Sequence, residues 1–442
     1  MTTQMESAAV QLYAAECEAR LARERDPERA RLRRAAFERF AALGFPSTRS
    51  EEWRHTALGA LPHTAYVPWD PPAAAPPGSE PPPLRGEARL TMLGGRAAAP
   101  AALPGELPAG LVLGSLAELT PHAPEWLTAH LAQHVNVATD AFAALNTAFL
   151  DDGAVVYVPR SATCPGALHI VHVAPDGPTP AVVFPRTLVV VADGAAVDLV
   201  EQFVGGAGAE HFTNAVTELV AGPGARVRYV RLLREAETAR HIGALHIRLA
   251  RDTRVAAHIV TLGGGLVRHN LTAVLADTGA DCDLYGLHVS GGRQHVDHHL
   301  RVEHAAPHGT SREMIRGILD DQAHGVFTGR IIVRPGAQRT DAKQTHKSLL
   351  LSGSAQANSR PQLEIYADDV KCTHGATVGQ VDEDAVFYLR SRGLPAEAAR
   401  SLLVYAFAEE CLTDLAPPDL YALIRREILA RLPHGELLQD AL

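Results

Sequence analysis

Cysteine is scarce in this 442-residue chain and is never paired in sequence. The five thiols, Cys17, Cys164, Cys282, Cys372 and Cys411, are odd in number and widely spaced, and no C-x-x-C occurs. That pattern argues against a disulfide framework and a self-contained zinc site. A metal held through one of these thiols needs ligands from distant parts of the chain or from a partner. Long apolar runs are missing too, since none approaches the ~18 residues needed to span a bilayer. The start, "MTTQMESAAVQLYAAECEAR", carries Glu6 and Glu16 and lacks a basic stretch before an apolar run, so it does not read as a signal peptide. There is no basic excess or stripe, and the formal net charge is −9, which argues against a nucleic-acid partner. The expectation is a soluble, cytoplasmic protein with no membrane and no nucleic-acid role.

Catalytic signatures are absent as well. There is no G-x-x-x-x-G-K-[ST], no G-x-S-x-G, no H-E-x-x-H and no G-x-G-x-x-G opening a helix after a strand. "GGGLVRHN" has the glycines but no helical pattern behind them. The chain therefore carries no P-loop ATPase of its own.

What is present is ordinary globular material. Hydrophobic residues make up 46% and charged residues 21%, enough for a large core and two or three domains. Residues 1–66 carry Ala, Leu, Arg and Glu at helical spacing, with Gly44 and Pro46 as a helix stop. Residues 67–86, "VPWDPPAAAPPGSEPPPLRG", form neither helix nor central strand and read as an extended linker. Residues 87–145 are mixed, with a short helix expected near "PEWLTAHLAQHV". Residues 146–381 are short apolar alternations broken by Gly and Asp, the texture of strands. Residues 382–442 are helical again. "DEDAVFYLRSRG" opens on carboxylates and closes on Gly393, and Pro395 opens the next helix. These end helices suit either a cap on the core or a docking surface for a partner.

The strand region repeats. Gly194-Ala195-Ala196-Val197 is followed by Gly224-Ala225-Arg226-Val227, Asp252-Thr253-Arg254-Val255 and Gly279-Ala280-Asp281-Cys282. Gly309-Thr310 and Gly336-Ala337 keep the beat, although Arg312 and Arg339 break the apolar position. A beat of 27 to 30 residues in strand-only sequence points to a solenoid whose coils share one core. The fold class expected is mainly β, a parallel β-helix between helical ends. A β-sandwich is second, because turn signals every ~8–12 residues fit both a sandwich and a three-turn coil.

Cys282 takes the apolar position of the repeat, where a free thiol acts as a small hydrophobe. The run "HVDHHLRVEHAAPH" holds His295, His298, His299, His304 and His308 with Asp297 and Glu303. On a strand His295 and His299 share one face, and His298 and His304 the other. Imidazole and carboxylate suit iron or zinc, but 22 histidines make clustering expected by number alone. "DDVKCTHGATVG" is different. Cys372 and His374 project from one face of an extended segment, Gly375 and Gly379 follow, and Asp368 and Asp369 lie just before. Three readings stay open on chemistry alone. The pair is too few ligands for a complete metal site, a thiolate–imidazole nucleophile and base, or an unremarkable buried thiol beside a histidine. "DDQAHGVFTGR" supplies carboxylates for the alternative of a stand-alone β-helix carbohydrate-active enzyme.

Longer stretches carry a resemblance. "PSTRSEEWRHT", "LNTAFLDDGAVVYVP", "QRTDAKQTHKSLLLS" and "PQLEIYADDVKCTHGATVGQVDEDAVFYLRSRGL" resemble the SufB/SufD family of iron–sulfur cluster assembly proteins. "KCTHGAT" stands where SufB proteins carry a Glu-centred segment, which makes the chain more similar to the SufD branch. The resemblance implies a right-handed parallel β-helix and a complex with a SufB-like paralogue and two copies of a SufC-like ATPase. It implies a non-catalytic subunit, with ATP hydrolysis supplied by SufC. It places a nascent cluster or iron at the SufB–SufD junction, with His374 as metal ligand and Cys372 beside it. It implies ATPase docking on the C-terminal helices, where Phe387, Tyr388, Arg390, Leu402 and Tyr405 are the candidates. A reduced flavin is associated with such complexes, and no residue here places it. A homodimer of the isolated chain is expected from its free solenoid edges.

Overall fold

A computed structural model of the chain describes residues 8–438, apart from 73, 74, 76, 77, 104, 106, 178 and 206–209. Glu6, invoked against a signal peptide, lies outside the described residues.

The alternating segments become strands that wind in turn between two sheets. One sheet stacks Ala154–Val158, Arg186–Val191, His211–Ala221, Arg240–Leu249, Leu266–Leu275, His295–His304, His324–Val333 and Gln356–Ile365. The other stacks Leu168–Val173, Ala196–Val204, Arg226–Arg234, Arg254–Thr261, Asp281–Ser290, Thr310–Leu319, Asp341–Leu350 and Lys371–Gly379. Neighbours within these stacks are parallel, in register. This is the expected parallel β-solenoid. Each coil holds two long strands rather than three short ones.

The register shows what sets the beat. Val197, Val227, Val255 and Cys282 stand on successive rungs of one column, and Cys282 is fully buried there. The column continues through Ser311 and Ala342 to Cys372. Arg312 and Arg339 do not break the apolar position, because neither occupies it. The turn at Gly309 is one residue shorter than the pattern assumes. The turn at Gly336 is longer, and Arg339 sits within it at φ +58° with its N–H bonded to the Asp369 carbonyl.

Side chains of inward parity from both sheets, such as Leu199, Tyr229, Leu245, Leu271 and Leu300, fill a shared core. The outer faces are covered by helices. Ala8–Leu21, Pro27–Leu43 and Ala141–Ala148 bring Tyr13, Phe40 and Phe142 onto Val182, Phe184, Phe212 and Ile242 of the first sheet. Asp26 caps the second of these helices, accepting from the N–H groups of Glu28 and Arg29, and Gly44 ends it at φ +64°. The C-terminal helices Ala396–Glu409 and Pro418–Arg431 pack on Val230, Leu232, Val260, Leu287 and Ile318 of the second sheet.

The two ends of the solenoid differ. At the first end, Val112–Ser115 and Arg96–Ala97 add antiparallel strands. At the last end the C-terminal helices do not act as a lid, since they lie along the side of the second sheet. The strands Gln356–Ile365 and Lys371–Gly379 are therefore half-buried or exposed along their whole length.

Candidate functional site

The last strand carries the candidate pair. Cys372 and His374 have inward parity: Cys372 follows Ala342 and Ser311, and His374 follows Gln344 and Glu313. In earlier coils these rows are interior. Here no coil follows, so the rows open outward, leaving Cys372 half-buried and His374 exposed. Cys372 packs against Ile331, Val333, Ala342 and Ala367. Burial pushes its thiol up from the ordinary range, and a backbone hydrogen bond at Ala342 opposes that. His374 has no hydrogen-bond or ion-pair partner among the described residues. The imidazole is thus available, and no thiol–imidazole hydrogen bond is formed.

The neighbouring carboxylates do not complete a site. Asp369 is built into the turn, where its N–H donates to Gln338 Oε1 and its carboxylate lies 3.6 Å from Arg339. Among the described residues, no three His, Cys, Asp or Glu side chains are arranged to hold a metal ion. Cys372 and His374 thus have no third such side chain beside them among the described residues.

One rung below, Gln344 donates from Nε2 to Glu313 Oε2 at 2.7 Å. Burial pushes Glu313 up to about 7, against the pull of that hydrogen bond. Outside this face lie Lys343, Lys347 and Lys371, all exposed. They are the only lysines in the chain, a concentration that a simple lysine count reveals and that the motif search overlooked.

The histidine run is dispersed rather than gathered. Thr56 donates to Asp297 Oδ2 at 2.6 Å and lies 3.0 Å from His295 Nε2. Arg268 donates to the same carboxylate oxygen at 2.5 Å and to the Glu52 carbonyl at 2.8 Å, and its guanidinium sits 3.9 Å over the Trp53 ring. "PSTRSEEWRHT" is therefore a latch holding the N-terminal segment to the solenoid. His298 points inward, 5.1 Å from the His269 ring, and His304 bonds to Ser311 Oγ at 2.9 Å. "LNTAFLDD" also locks structure, with Asn146 donating to the carbonyls of Pro185 and Asn214. The carboxylates of "DDQAHGVFTGR" serve turns: Asp320 accepts from the Asp321 N–H and Asp321 from the Gly292 N–H.

Of the docking candidates, Phe387 is 71% and Tyr388 55% exposed, and Arg390 is exposed beside them. Leu402 is half-buried. Tyr405 is a correction, because it is 6% exposed and belongs to the core between the helices and the sheet. It packs there with Val404, Ala408 and Ile428.

The fold is a parallel β-solenoid whose open last coil carries Cys372 and His374. Comparison with known sequences agrees. The family described as "SUF system FeS cluster assembly, SufBD core domain" matches residues 172–407, and "SufBD protein N-terminal region" matches residues 91–170. A SufBD family iron–sulfur cluster assembly protein of Synechocystis is 32% identical over 413 residues, 90% of each chain. Escherichia coli SufD is 33% identical over 245 residues, 55% of this chain and 58% of its own. A chloroplastic protein of Arabidopsis thaliana, ABCI7, is 30% identical over 318 residues, 70% of this chain and 66% of its own. The chain belongs to the SufBD family of iron–sulfur cluster assembly proteins. No helix among the described residues is long and apolar enough to cross a membrane.

Proposed function

We propose that this chain is the SufD-like half of an assembly junction. It pairs through its open last coil with a SufB-like paralogue and docks a SufC-like ATPase on its C-terminal helices. The observation that carries this reading is the uncovered coil. A solenoid end normally needs a cap, and this one exposes strand edges together with Cys372, His374 and three lysines. A second solenoid seated there would cover the edge and add the missing ligands. The His374 imidazole would bind iron or one corner of a nascent cluster as cargo, with Cys372 a secondary thiol. The lysines favour an acidic partner face or an anionic cluster. Phe387 and Tyr388, flanked by Arg390, offer an aromatic anchor of the kind that dominates interfaces. The chain would then have no reaction of its own, the energy coming from the ATPase.

The test is co-expression with both partners, then iron and sulfide analysis of the purified complex. The His374→Ala complex should assemble but hold markedly less of both. Equal iron and sulfide in the two complexes would overturn the ligand role.

A further inference from the structure

The stretch "PEWLTAHLAQHV" belongs to neither the open coil nor the C-terminal helices. Its helix covers Glu125–His130 and stops there, with the Leu131 N–H bonded to the Leu127 carbonyl. Ala132 follows at φ +60°, so the chain turns back instead of extending the helix. The turn is pinned from below. Glu218, fully buried on His211–Ala221, accepts from the N–H groups of Ala132 and His134, both at 2.9 Å. The same carboxylate takes a 2.5 Å hydrogen bond from the buried Arg186. Hydrogen bonds to a charged acceptor are the strong kind, so the backbone at His134 is firmly held.

This turn brings two imidazoles together. His130 Nδ1 lies 3.2 Å from His134 Nε2, with ring centres 5.4 Å apart and planes 30° apart. Both residues are half-buried. Two nitrogens bound to one tetrahedral zinc at about 2.0–2.1 Å stand about 3.3–3.4 Å from each other. The pair therefore already has the spacing that a shared ion needs. Burial holds both imidazoles below the ordinary histidine range, with the Glu218 charge opposing it and exposed Arg248 adding to it. They are neutral at neutral pH, the form that binds metal. A third imidazole stands close by. His246 is the rung neighbour of Glu218, feels the charge of His134, and has its Nε2 buried without a hydrogen-bond partner.

We propose that His130 and His134 form a two-imidazole site for a divalent transition-metal ion, with water in the remaining positions. Imidazole suits zinc, copper, nickel and iron. Without the ion, one ring donates to the other. On binding, the donor ring exchanges tautomers, its proton moving to its other nitrogen, so both lone pairs face the ion and no net proton is released. His246 is not placed as a third protein ligand. Structural zinc takes four protein ligands, so an ion held by two is exchangeable. The pair sits over His211–Ala221, several rungs before the last coil, and the site does not depend on the junction reading.

The test uses the full chain with zinc chloride as the probe, in a Cys372→Ser, His374→Ala background that removes the other candidate ligands. Soaked crystals should show zinc anomalous density between His130 Nδ1 and His134 Nε2. Calorimetry should show a binding event that His130→Ala and His134→Ala each weaken by about tenfold or more. Neither change removes a backbone N–H held by Glu218, so both variants should melt as their parent does without zinc. Crystals of the parent decide the matter even where a variant fails to fold. Zinc density absent from the pair, or parental titration in both folded variants, would leave only a hydrogen bond between two rings and overturn the site.

Discussion

His374 shows how little an exposed, unpartnered side chain contributes to its own fold. It has no hydrogen-bond or ion-pair partner among the described residues, so His374→Ala should change stability by no more than about 0.5 kcal/mol, read by urea unfolding of the isolated chain. The latch behaves in the opposite way. Thr56→Ala removes a donor from Asp297, a fully buried carboxylate, and should cost about 1–3 kcal/mol in the same assay. Burial raises Asp297, but the Arg268 charge and the Thr56 hydroxyl outweigh it and hold the carboxylate below its ordinary range. A residue quoted as a family signature is therefore structural in one stretch and unencumbered in another. Sequence could not separate the two, because both are polar residues in recognisable strings. Only the hydrogen bonds each makes in the folded chain tell them apart.

Whole elements behave according to what covers them. Sixteen stacked strands among the described residues repeat one pattern, but the last of each sheet lacks a neighbour on one side, and that alone converts buried rows into a surface. Lys343 and Lys347 lie on Asp341–Leu350 and Lys371 on Lys371–Gly379, the last two strands of the second sheet. Reversing all three to Glu should leave the fold intact and slow association with the paralogue, with a changed salt dependence, measured by stopped-flow or surface binding at several ionic strengths. Phe387→Ala with Tyr388→Ala should weaken ATPase docking by about 2 kcal/mol or more, read by calorimetry. Tyr405→Ala should instead lower stability by about 3 kcal/mol or more as a core truncation. The amphipathic spacing of the C-terminal helices was legible in the sequence. Which face meets the sheet was not, because either side of Ala396–Glu409 carries apolar residues.

The molecule as a whole buries many neutral histidines. Burial holds His295, His298 and His304 down to about 4 and His346 to about 3. The unfolded chain binds protons on these rings below about 6.5, and the folded chain refuses them until its lower values. Stability should therefore fall as pH drops from about 6.5 to 4, by up to about 1.4 kcal/mol per pH unit for each ring. Glu313, raised to about 7, works the other way, stabilising as it protonates, but it is one carboxyl against several rings. Melting temperature should drop steeply across that window, and His298→Phe, where it folds, should flatten the drop. Sequence by itself pointed to the solenoid ahead of a β-sandwich, since a beat of 27 to 30 residues with alternating apolar positions suits coils that stack and share a core. It also singled out Cys372 and His374 as a pair on one face of an extended segment, too few for a complete metal site on their own. Tertiary structure alone decided that the end helices lie along the side and leave this coil open. It also split the histidine run between a latch and the interior. Both outcomes depend on which rungs stack and which do not, and stacking joins residues some thirty positions apart that no local pattern connects.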